Sequence, residues 1–458
     1  MKKITLLLLT ILSTLSMQGQ DITGQWNGAL KVQGIQLRLV FNVTKINSVL
    51  SSTMDSPDQG AMGIPTTTTS FENATLKITI ANAKIEYEGT LGKDNSIVGT
   101  FKQGGQSFPM NLSKEIIEKE KLVRPQEPIK PYSYYSEDIT FENKKAGIRL
   151  AGTLTLPKKE GVFPAVILIS GSGPQNRDEE LLGHKPFLVL SDFLTKNGIA
   201  VLRFDDRGTG KSSGDFKEAT TFDFAKDVEY AIEYLQKRKE INKDKIGLIG
   251  HSEGGIIAPI IASENEDIDF IVLMAGSALR GDKLLLLQKY KIETQLGINR
   301  QLVENNQQIF AGAYEIILNQ SIENELVSDT LSKYFTSKYG QALPEKQKTA
   351  LINQLSSPWM LNFIRLDPVV YLSKVNCPVL AINGSKDIQV PPKENLTAIK
   401  NASIKGGNIN VTVKELPNLN HLFQECITGS PNEYAEIEQT IAPIALKEIL
   451  NWIHLQVK

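Results

Sequence analysis

Two patterns of hydrophobic and polar positions divide the chain. Up to about residue 112, short runs alternate apolar and polar residues with a period of two, as in Leu37–Val43 and Leu76–Ile80, and Gly104-Gly105 lies between two such runs. A period of two indicates strands with one buried face, and a glycine pair between strands indicates a hairpin. We therefore predict a small antiparallel β-domain, a sandwich or half-barrel, over residues 21–112.

The second pattern begins near residue 135, where short apolar runs rich in Val, Ile and Leu alternate with segments of helical periodicity. The predicted strands are Glu137–Phe141, Ile148–Leu156, Pro164–Ser170, Ala200–Phe204, Lys245–Ile249, Phe270–Met274, Val379–Ile382 and Val411–Leu416, and the predicted helices include Phe222–Lys237 and Glu433–Leu455. This alternation predicts an α/β domain over residues 135–458, with a mostly parallel, doubly wound sheet covered on both faces.

Two segments interrupt these patterns. Residues 113–134 are charged and then proline-rich, which predicts a stiff linker whose first part, Lys114–Lys121, is helical. From about residue 278 to 374 the pattern is helical with no strand signal, which predicts a helical cap inserted over the edge of the sheet.

Aromatic residues of the predicted cap are candidates for the wall of a substrate pocket. Trp359, Phe363 and Tyr371 fall in this segment. Large aromatic side chains are also typical of a cap's own core, and that alternative stays open for each of them.

The N-terminus has the pattern of an export signal. Lys2 and Lys3 precede an apolar run, Ile4–Leu15, and small and polar residues follow it. This order predicts a signal peptide over residues 1–20, and hence an exported protein, periplasmic or secreted. The alternative is an uncleaved anchor, which the shortness of the apolar run disfavours. We expect no stable membrane insertion of the mature chain.

Composition narrows the class of function. The chain has 458 residues, of which 41% are hydrophobic and 22% charged, as expected for folded domains with real cores. A net charge of -1 provides no basic field for nucleic acid. Four histidines and two cysteines leave little material for a metal site, so we expect no metal or organic cofactor. Cys377 and Cys426 are expected to be unpaired.

The most informative motif is Gly250-His251-Ser252-Glu253-Gly254, which lies between a predicted strand and a small apolar run, Gly255–Ser263. A G-x-S-x-G between strand and helix forces a sharp turn that exposes the serine hydroxyl at the carboxyl edge of a sheet. Glycines are needed on both sides because a Cβ there would collide with the neighbouring strand and helix. Ser252 is therefore the candidate nucleophile, and an idle serine in a glycine-rich turn is the alternative.

Further motifs carry a family resemblance. They are Ser170-Gly171-Ser172-Gly173-Pro174, Asp205–Ser212, Asn383–Pro391 and Asn420-His421. Together with the Ser252 motif they resemble the α/β-hydrolase superfamily, in particular its exported bacterial esterases, with relatives among serine aminopeptidases and dienelactone-hydrolase-like enzymes. The resemblance covers residues from about 135 to 458. It implies an α/β-hydrolase fold, an oxyanion loop after the third strand, an acid-bearing turn and a histidine turn.

The residues themselves support a catalytic triad. A serine hydroxyl needs a base within hydrogen-bond reach. His421 follows the last strand at the carboxyl edge of the sheet, where ligand chemistry collects, so it is the predicted base, whereas His251 is expected only to pack inside the turn. Asp387 comes between Ser252 and His421 in chain order and is the predicted acid. The other aspartates in that interval are rivals by order only: Asp282, Asp329 and Asp367.

Hydrolysis also needs donors aimed at the oxyanion of the tetrahedral intermediate. The backbone N–H of Glu253 is one predicted donor, and the N–H of Ser172 or Gly173 is the other. These parts predict a serine hydrolase of small-molecule carboxylic esters that acts through an acyl-serine. A serine peptidase, an acyltransferase and a non-catalytic ligand-binding protein on a hydrolase scaffold are the alternatives. The sequence does not indicate an oligomeric state.

Overall fold

The computed structural model describes residues 21–32, 35–118, 124–340 and 342–458. The chain divides into two compact units, residues 1–121 and 122–458. The predicted signal peptide, residues 1–20, lies outside the described residues.

The first unit is an antiparallel β-sheet. Its described strands are β1 (Gly24–Val32), β2 (Ile35–Ile46), β3 (Val49–Ser56), β4 (Ala61–Pro65), β5 (Thr68–Glu72), β6 (Thr75–Ile80), β7 (Ile85–Leu91), β8 (Ile97–Gln103), β9 (Gln106–Pro109) and β10 (Leu112–Ser113). They run in the order β4-β3-β2-β1-β10-β8-β7-β6-β5, with β9 on β8, and β3 contacts β5, so the sheet curls toward closure. Its inner face buries Trp26, Phe41 and Tyr87. The predicted antiparallel β-domain is confirmed.

The helix predicted from Lys114 is wrong for residues 114–118, which form no helix. The Lys114 side chain instead folds back onto the sheet. Its ammonium donates to the Thr23 carbonyl at 2.6 Å and lies 4.0 Å from the centre of the Trp26 ring. These contacts hold the chain against β1 in an extended path.

The second unit contains a mixed sheet. Its strands are β11 (Tyr135–Asn143), β12 (Ile148–Leu156), β13 (Phe163–Ile169), β14 (Ala200–Phe204), β15 (Ile241–His251), β16 (Phe270–Met274), β17 (Val379–Gly384) and β18 (Val411–Leu416). Their order is β11-β12-β14-β13-β15-β16-β17-β18. The pairs from β14 to β18 are parallel, and the leading strands β11 and β12 are antiparallel. The carboxyl ends of the parallel strands, β13 to β18, therefore meet at one edge of the sheet, where the candidate site lies.

Helices cover both faces of this sheet. They are α1 (Pro186–Lys196), α2 (Thr221–Gln236), α3 (Gly254–Ala262), α10 (Pro392–Lys405) and α11 (Pro443–Gln456). The core of one face contains α2, α3 and α10, and the core of the other contains α1 and α11. The strand segments between them, such as Val166–Ile169, are buried on both sides, as their continuous hydrophobicity predicts.

The cap lies between β16 and β17 and is helical throughout its described residues. It consists of α4 (Gly281–Gln295), α5 (Arg300–Leu318), α6 (Asn324–Tyr339), α7 (Glu345–Leu355), α8 (Pro358–Arg365) and α9 (Val369–Leu372). Ile317, Leu331 and Phe335 are fully buried in a core of its own. The predicted fold class is confirmed: an α/β-hydrolase fold with a helical cap and a small all-β domain.

The last helix is shorter than predicted, because α11 begins at Pro443 rather than near Glu433. Side chains of other segments bind the backbone before it. The Gln126 side-chain oxygen accepts from the N–H groups of Thr440 and Ile441, at 2.6 and 3.0 Å.

Cys377 and Cys426 are both free, as expected. No helix in the described part of the chain is both long and apolar enough to cross a membrane.

Candidate active site

Ser252 occupies the sharp turn between β15 and α3. Its φ of 53° is left-handed, a conformation that costs a non-glycine residue about 1–3 kcal/mol and clusters at functional sites. The turn is fixed by the Ser252 N–H, which donates to the Met274 carbonyl at 2.9 Å. A Cβ at Gly250 would overlap the Gly254 carbonyl, and a Cβ at Gly254 would overlap the Ile169 carbonyl. The two glycines therefore permit the turn that the motif predicts.

His421 and Asp387 meet at the same edge of the sheet. His421 Nδ1 lies 2.8 Å from Asp387 Oδ2, and both residues are buried. The other carboxylate oxygen of Asp387 accepts from the N–H groups of Gln389 and Val390, at 2.8 and 2.9 Å. The carboxylate is thus held from three directions. With its proton on Nδ1, the His421 ring has a lone pair at Nε2 that can accept a proton from a hydroxyl.

The histidine loop is bonded directly to the serine turn. His251 Nε2 lies 3.0 Å from the His421 carbonyl oxygen, and the two imidazole rings are 4.9 Å apart between centres. The structure therefore brings His421 beside the residue that precedes Ser252.

The rival aspartates lie in the cap, and two of them have partners of their own. Asp282 binds the Arg280 guanidinium at 2.7 Å, and Asp367 accepts from the Val369 N–H at 3.1 Å. Asp329 lies exposed in α6. Among the aspartates that follow Ser252 in chain order, Asp387 is thus the one bonded to His421.

The loop after β13 passes beside Ser252, since a Cβ at Gly171 would come within 3.2 Å of the Ser252 Cβ. The N–H of Gly171 is already used, because it donates to Glu179 Oε1 at 2.7 Å. Ser172 and Gly173 come next, with Ser172 exposed and Gly173 in a left-handed conformation of φ 97°. The N–H groups of Ser172 and Gly173, rather than that of Gly171, therefore remain as the candidate donors to a ligand.

Glu253, the residue after Ser252, is buried and links the turn to the cap. Its Oε1 accepts from the Thr221 hydroxyl at 2.7 Å and from the Trp359 indole N–H at 2.8 Å. Burial raises the pKa of the Glu253 carboxyl, and these two hydrogen bonds oppose the rise. The cap helix α8 is therefore bonded to the same residue whose backbone N–H is a predicted oxyanion donor.

The three candidate pocket residues have different surroundings. Phe363 stacks on Trp359 with 4.9 Å between ring centres, and the Trp359 indole is the ring bonded to Glu253. Tyr371 instead contacts Phe222, with 6.1 Å between ring centres. The structure brings Trp359 and Phe363 to the site as a pair and places Tyr371 against α2.

A small pocket adjoins the oxyanion loop on the cap side of the sheet. Its lining includes Gly171, Gly173, Glu253, Phe224 and Ile257. Its lining combines apolar side chains with polar ones, among them Asp206. Among the described residues, no group of three or more His, Cys, Asp or Glu side chains is placed to hold a metal ion.

Sequence reasoning missed one acidic residue that supports the oxyanion loop. Asp206 accepts from the Ser170 hydroxyl at 2.8 Å and from the Gln175 N–H at 2.9 Å. Burial raises the pKa of Asp206 to about 8, although these hydrogen bonds oppose the rise. The Asp205-Asp206 pair was visible in the sequence, but which of the two faces the loop depends on the twist of β14.

Sequence reasoning also missed Glu179 and gave His251 only a packing role. Glu179 Oε1 lies 2.9 Å from His251 Nδ1 and accepts from Gly171 as well. The acidic run Asp178-Glu179-Glu180 directly after the loop was the available signal. Nothing in that run distinguishes the buried Glu179 from the exposed Glu180.

Comparison with known proteins places residues 187–424, just over half of the chain, within the family described as "Serine aminopeptidase, S33". The chain is 27% identical over 329 residues to "Esterase EstD" of Thermotoga maritima, a match that covers 71% of this chain and 69% of that protein.

Solved structures with a similar chain path include a hypothetical protein, PA2218, of Pseudomonas aeruginosa, at 14% identity and a TM-score of 0.45, covering 75% of this chain and all of that one. They also include the esterase Pf2001 of Pyrococcus furiosus, at 16% identity and a TM-score of 0.43, covering 74% of this chain and 97% of that one.

Proposed function

The chain belongs to the serine aminopeptidase S33 family of hydrolases, and from that premise we propose that it is an exported serine hydrolase of small-molecule carboxylic esters. The likeness to an esterase over 71% of the chain supports the choice of ester as substrate. Ser252, His421 and Asp387 form the proposed triad.

In the proposed reaction, His421 Nε2 takes the proton of the Ser252 hydroxyl as its oxygen attacks the ester carbonyl. The N–H of Glu253 and the N–H of Ser172 or Gly173 stabilise the oxyanion. His421 then gives its proton to the leaving alcohol, and an acyl-serine remains. Water, activated by the same imidazole, releases the acid and restores Ser252.

The observation that carries this proposal is the buried hydrogen bond of 2.8 Å between His421 Nδ1 and Asp387 Oδ2, beside the Ser252 turn. A buried carboxylate fixed by two backbone N–H groups can orient the imidazole and stabilise the imidazolium that forms during the reaction. A serine that only forms part of a structural turn would not require such a pair beside it.

The test is turnover of p-nitrophenyl esters of increasing acyl length by the purified protein and by Ser252→Ala. We expect ester hydrolysis that falls to the background rate in the variant. Ser403→Ala is a matched control, since Ser403 is buried in α10, on a helix separate from the Ser252 turn. Equal ester turnover by Ser252→Ala and wild type would refute the proposal.

A peptidase acting on short peptides or N-terminal residues is the second candidate, because the family that the chain matches is described as an aminopeptidase family. The same triad can cleave amides. Aminoacyl p-nitroanilides, assayed in parallel, distinguish the two, since turnover of anilides without esters would favour the peptidase. Failure of a fluorophosphonate probe to label the protein would favour a non-catalytic binding protein.

Export is the last part of the proposal, and it depends on the pattern of Lys2, Lys3 and the apolar run Ile4–Leu15. We expect the protein outside the cytoplasm, with a mature N-terminus close to residue 21. Fractionation and mass determination of the purified chain test this. A cytoplasmic protein of full mass would contradict it.

A further inference from the structure

Behind the Ser252 turn lies a second pair of a histidine and an acid, which the proposed mechanism does not use. Glu179 Oε1 lies 2.9 Å from His251 Nδ1, and both side chains are buried. The pair joins two loops of the site. Glu179 accepts from the Gly171 N–H of the oxyanion loop, and His251 Nε2 lies 3.0 Å from the carbonyl oxygen of His421.

The partners of His251 determine its protonation. The carbonyl oxygen of His421 can only accept a hydrogen bond, so Nε2 must carry a proton. Glu179 Oε1 also accepts from the Gly171 N–H, as an ionised carboxylate does, so we assign a proton to Nδ1 as well, donated to the same oxygen. A ring with a proton on both nitrogens is an imidazolium.

The electrostatic surroundings agree with this assignment. Burial alone would lower the pKa of His251, but the charge of Glu179 and the hydrogen bond to it raise the pKa overall. Asp387 adds a further attractive charge, and the neighbouring titratable ring is His421. Glu179 Oε2 is buried with no hydrogen-bond partner among the described residues, so the bonded partners of this carboxyl are His251 and the Gly171 N–H, both on Oε1.

The backbone at Glu179 is strained in a way that favours a functional role. Its φ is 51°, in the left-handed region where glycine or asparagine is easily accommodated and glutamate is strained. The next residue, Glu180, is exposed and is not bonded into this pair. A glutamate held in this conformation for its buried carboxylate is consistent with a site that needs that group.

We propose that Glu179 and a protonated His251 are positioning residues, which align the oxyanion loop and the catalytic histidine loop with each other across the Ser252 turn. The inference rests on the proposed function for its kinetic consequence but not for the charge of His251. One end of the pair fixes the Gly171 N–H, so that the following N–H groups face the substrate. The other end fixes the backbone of His421, whose ring must reach the Ser252 hydroxyl.

Removing the charge of Glu179 tests the proposal. In Glu179→Gln the amide oxygen can still accept from Gly171, but His251 loses its counter-charge and gives up one proton at neutral pH. With the amide oxygen held by the Gly171 N–H, a neutral imidazole with one N–H can bond residue 179 or the His421 carbonyl, but not both. We expect kcat to fall about 10- to 100-fold at pH 8, as for a small misplacement of catalytic groups.

The pH dependence separates this effect from simple damage. Lowering the pH favours the return of the second proton to His251 in the variant, so the ratio of kcat/KM between Glu179→Gln and wild type should rise as the pH is lowered. Glu180→Gln is the matched control and should keep a ratio near one at every pH. A ratio near one for Glu179→Gln at pH 8 would overturn the positioning role.

The charge of His251 is measured separately, by ¹⁵N NMR of protein labelled at its four histidines. His251→Gln identifies the His251 signal by its loss. We expect two nearly equal ring nitrogen shifts at pH 8 in the wild type, the signature of an imidazolium, and widely separated shifts in Glu179→Gln. Separated shifts in the wild type would overturn the inference, whatever the activity. If Ser252→Ala retained ester turnover, the proposed function would fail while this NMR result still stood.

Discussion

Asp387→Asn offers a test in which the structure dictates the outcome in atomic detail. In the wild type, one oxygen of Asp387 accepts from the N–H groups of Gln389 and Val390, and the other accepts from His421 Nδ1. An asparagine must point its carbonyl oxygen at the two backbone donors, because its NH₂ group cannot accept from them. The NH₂ group therefore faces His421.

That orientation forces the wrong tautomer of His421. Facing a donor, Nδ1 must present its lone pair, so the ring proton moves to Nε2, the nitrogen that has to accept the proton of Ser252. In a serine protease of unrelated fold, the corresponding substitution lowers kcat about 10⁴-fold by this route, which corresponds to about 5 kcal/mol of transition-state stabilisation. We expect a loss of this size in kcat for p-nitrophenyl esters.

Stability should change much less than activity, because the NH₂ group of asparagine can donate to Nδ1 and every buried group keeps a partner. Thermal unfolding followed by circular dichroism checks this. Asp329→Asn is the control, because Asp329 is exposed on the cap and should be replaceable at no cost to kcat. If Asp387→Asn folded normally and kept a tenth or more of wild-type kcat, the assignment of Asp387 as the acid would be refuted.

Three further predictions concern the supports of the site. Gly254→Ala places a Cβ on the Ile169 carbonyl and should lower the free energy of unfolding by about 1–3 kcal/mol, measured with urea. Trp359→Phe keeps an aromatic ring but removes the donor to Glu253, a hydrogen bond worth about 1 kcal/mol, and should destabilise the cap to proteolysis and raise KM. The pKa of Asp206 is about 8 in the folded protein and about 4 in the unfolded chain. Between these pH values the folded protein holds a proton on Asp206 that the unfolded chain has released. The free energy of unfolding should therefore fall as the pH rises through this range. Asp206→Asn should remove that slope in urea unfolding at pH 5 and pH 8.

Each of these has a contradicting result. Gly254→Ala as stable as wild type would mean that α3 can move away from β13 without cost. Unchanged KM and protease resistance in Trp359→Phe would mean that the indole N–H does not hold the cap. The same pH dependence in Asp206→Asn and wild type would show that this carboxyl is not the group that titrates on unfolding.

The fold could be predicted from the sequence because its signals are local. The period of two in Leu37–Val43 and the continuous apolar run that became β13 each specify how many faces of a strand are buried. The ends of helices were harder to predict where side chains from distant segments bind the backbone. Gln126 does this before α11, and the sequence contains no local sign of it.

Only those parts of the site that follow from chain order and motif spacing could be predicted from the sequence. The G-x-S-x-G turn, the chain order and the carboxyl edge of a parallel sheet sufficed to name Asp387 and His421, which the structure bonds to each other beside the Ser252 turn. The charge of His251 could not be predicted, because it depends on a hydrogen bond to Glu179, 72 residues earlier, and on a carbonyl 170 residues later. Such contacts follow from packing, which sequence periodicity does not encode.

The most direct test of the triad is to map the adduct formed by a fluorophosphonate in the full-length wild-type protein and in His421→Ala. Peptide mass analysis should find one phosphonylated residue, Ser252, in the wild type and almost none in the variant at equal exposure. Ester turnover by a wild-type protein whose adduct lies on another residue, or equally rapid labelling of Ser252 without the imidazole, would contradict the account.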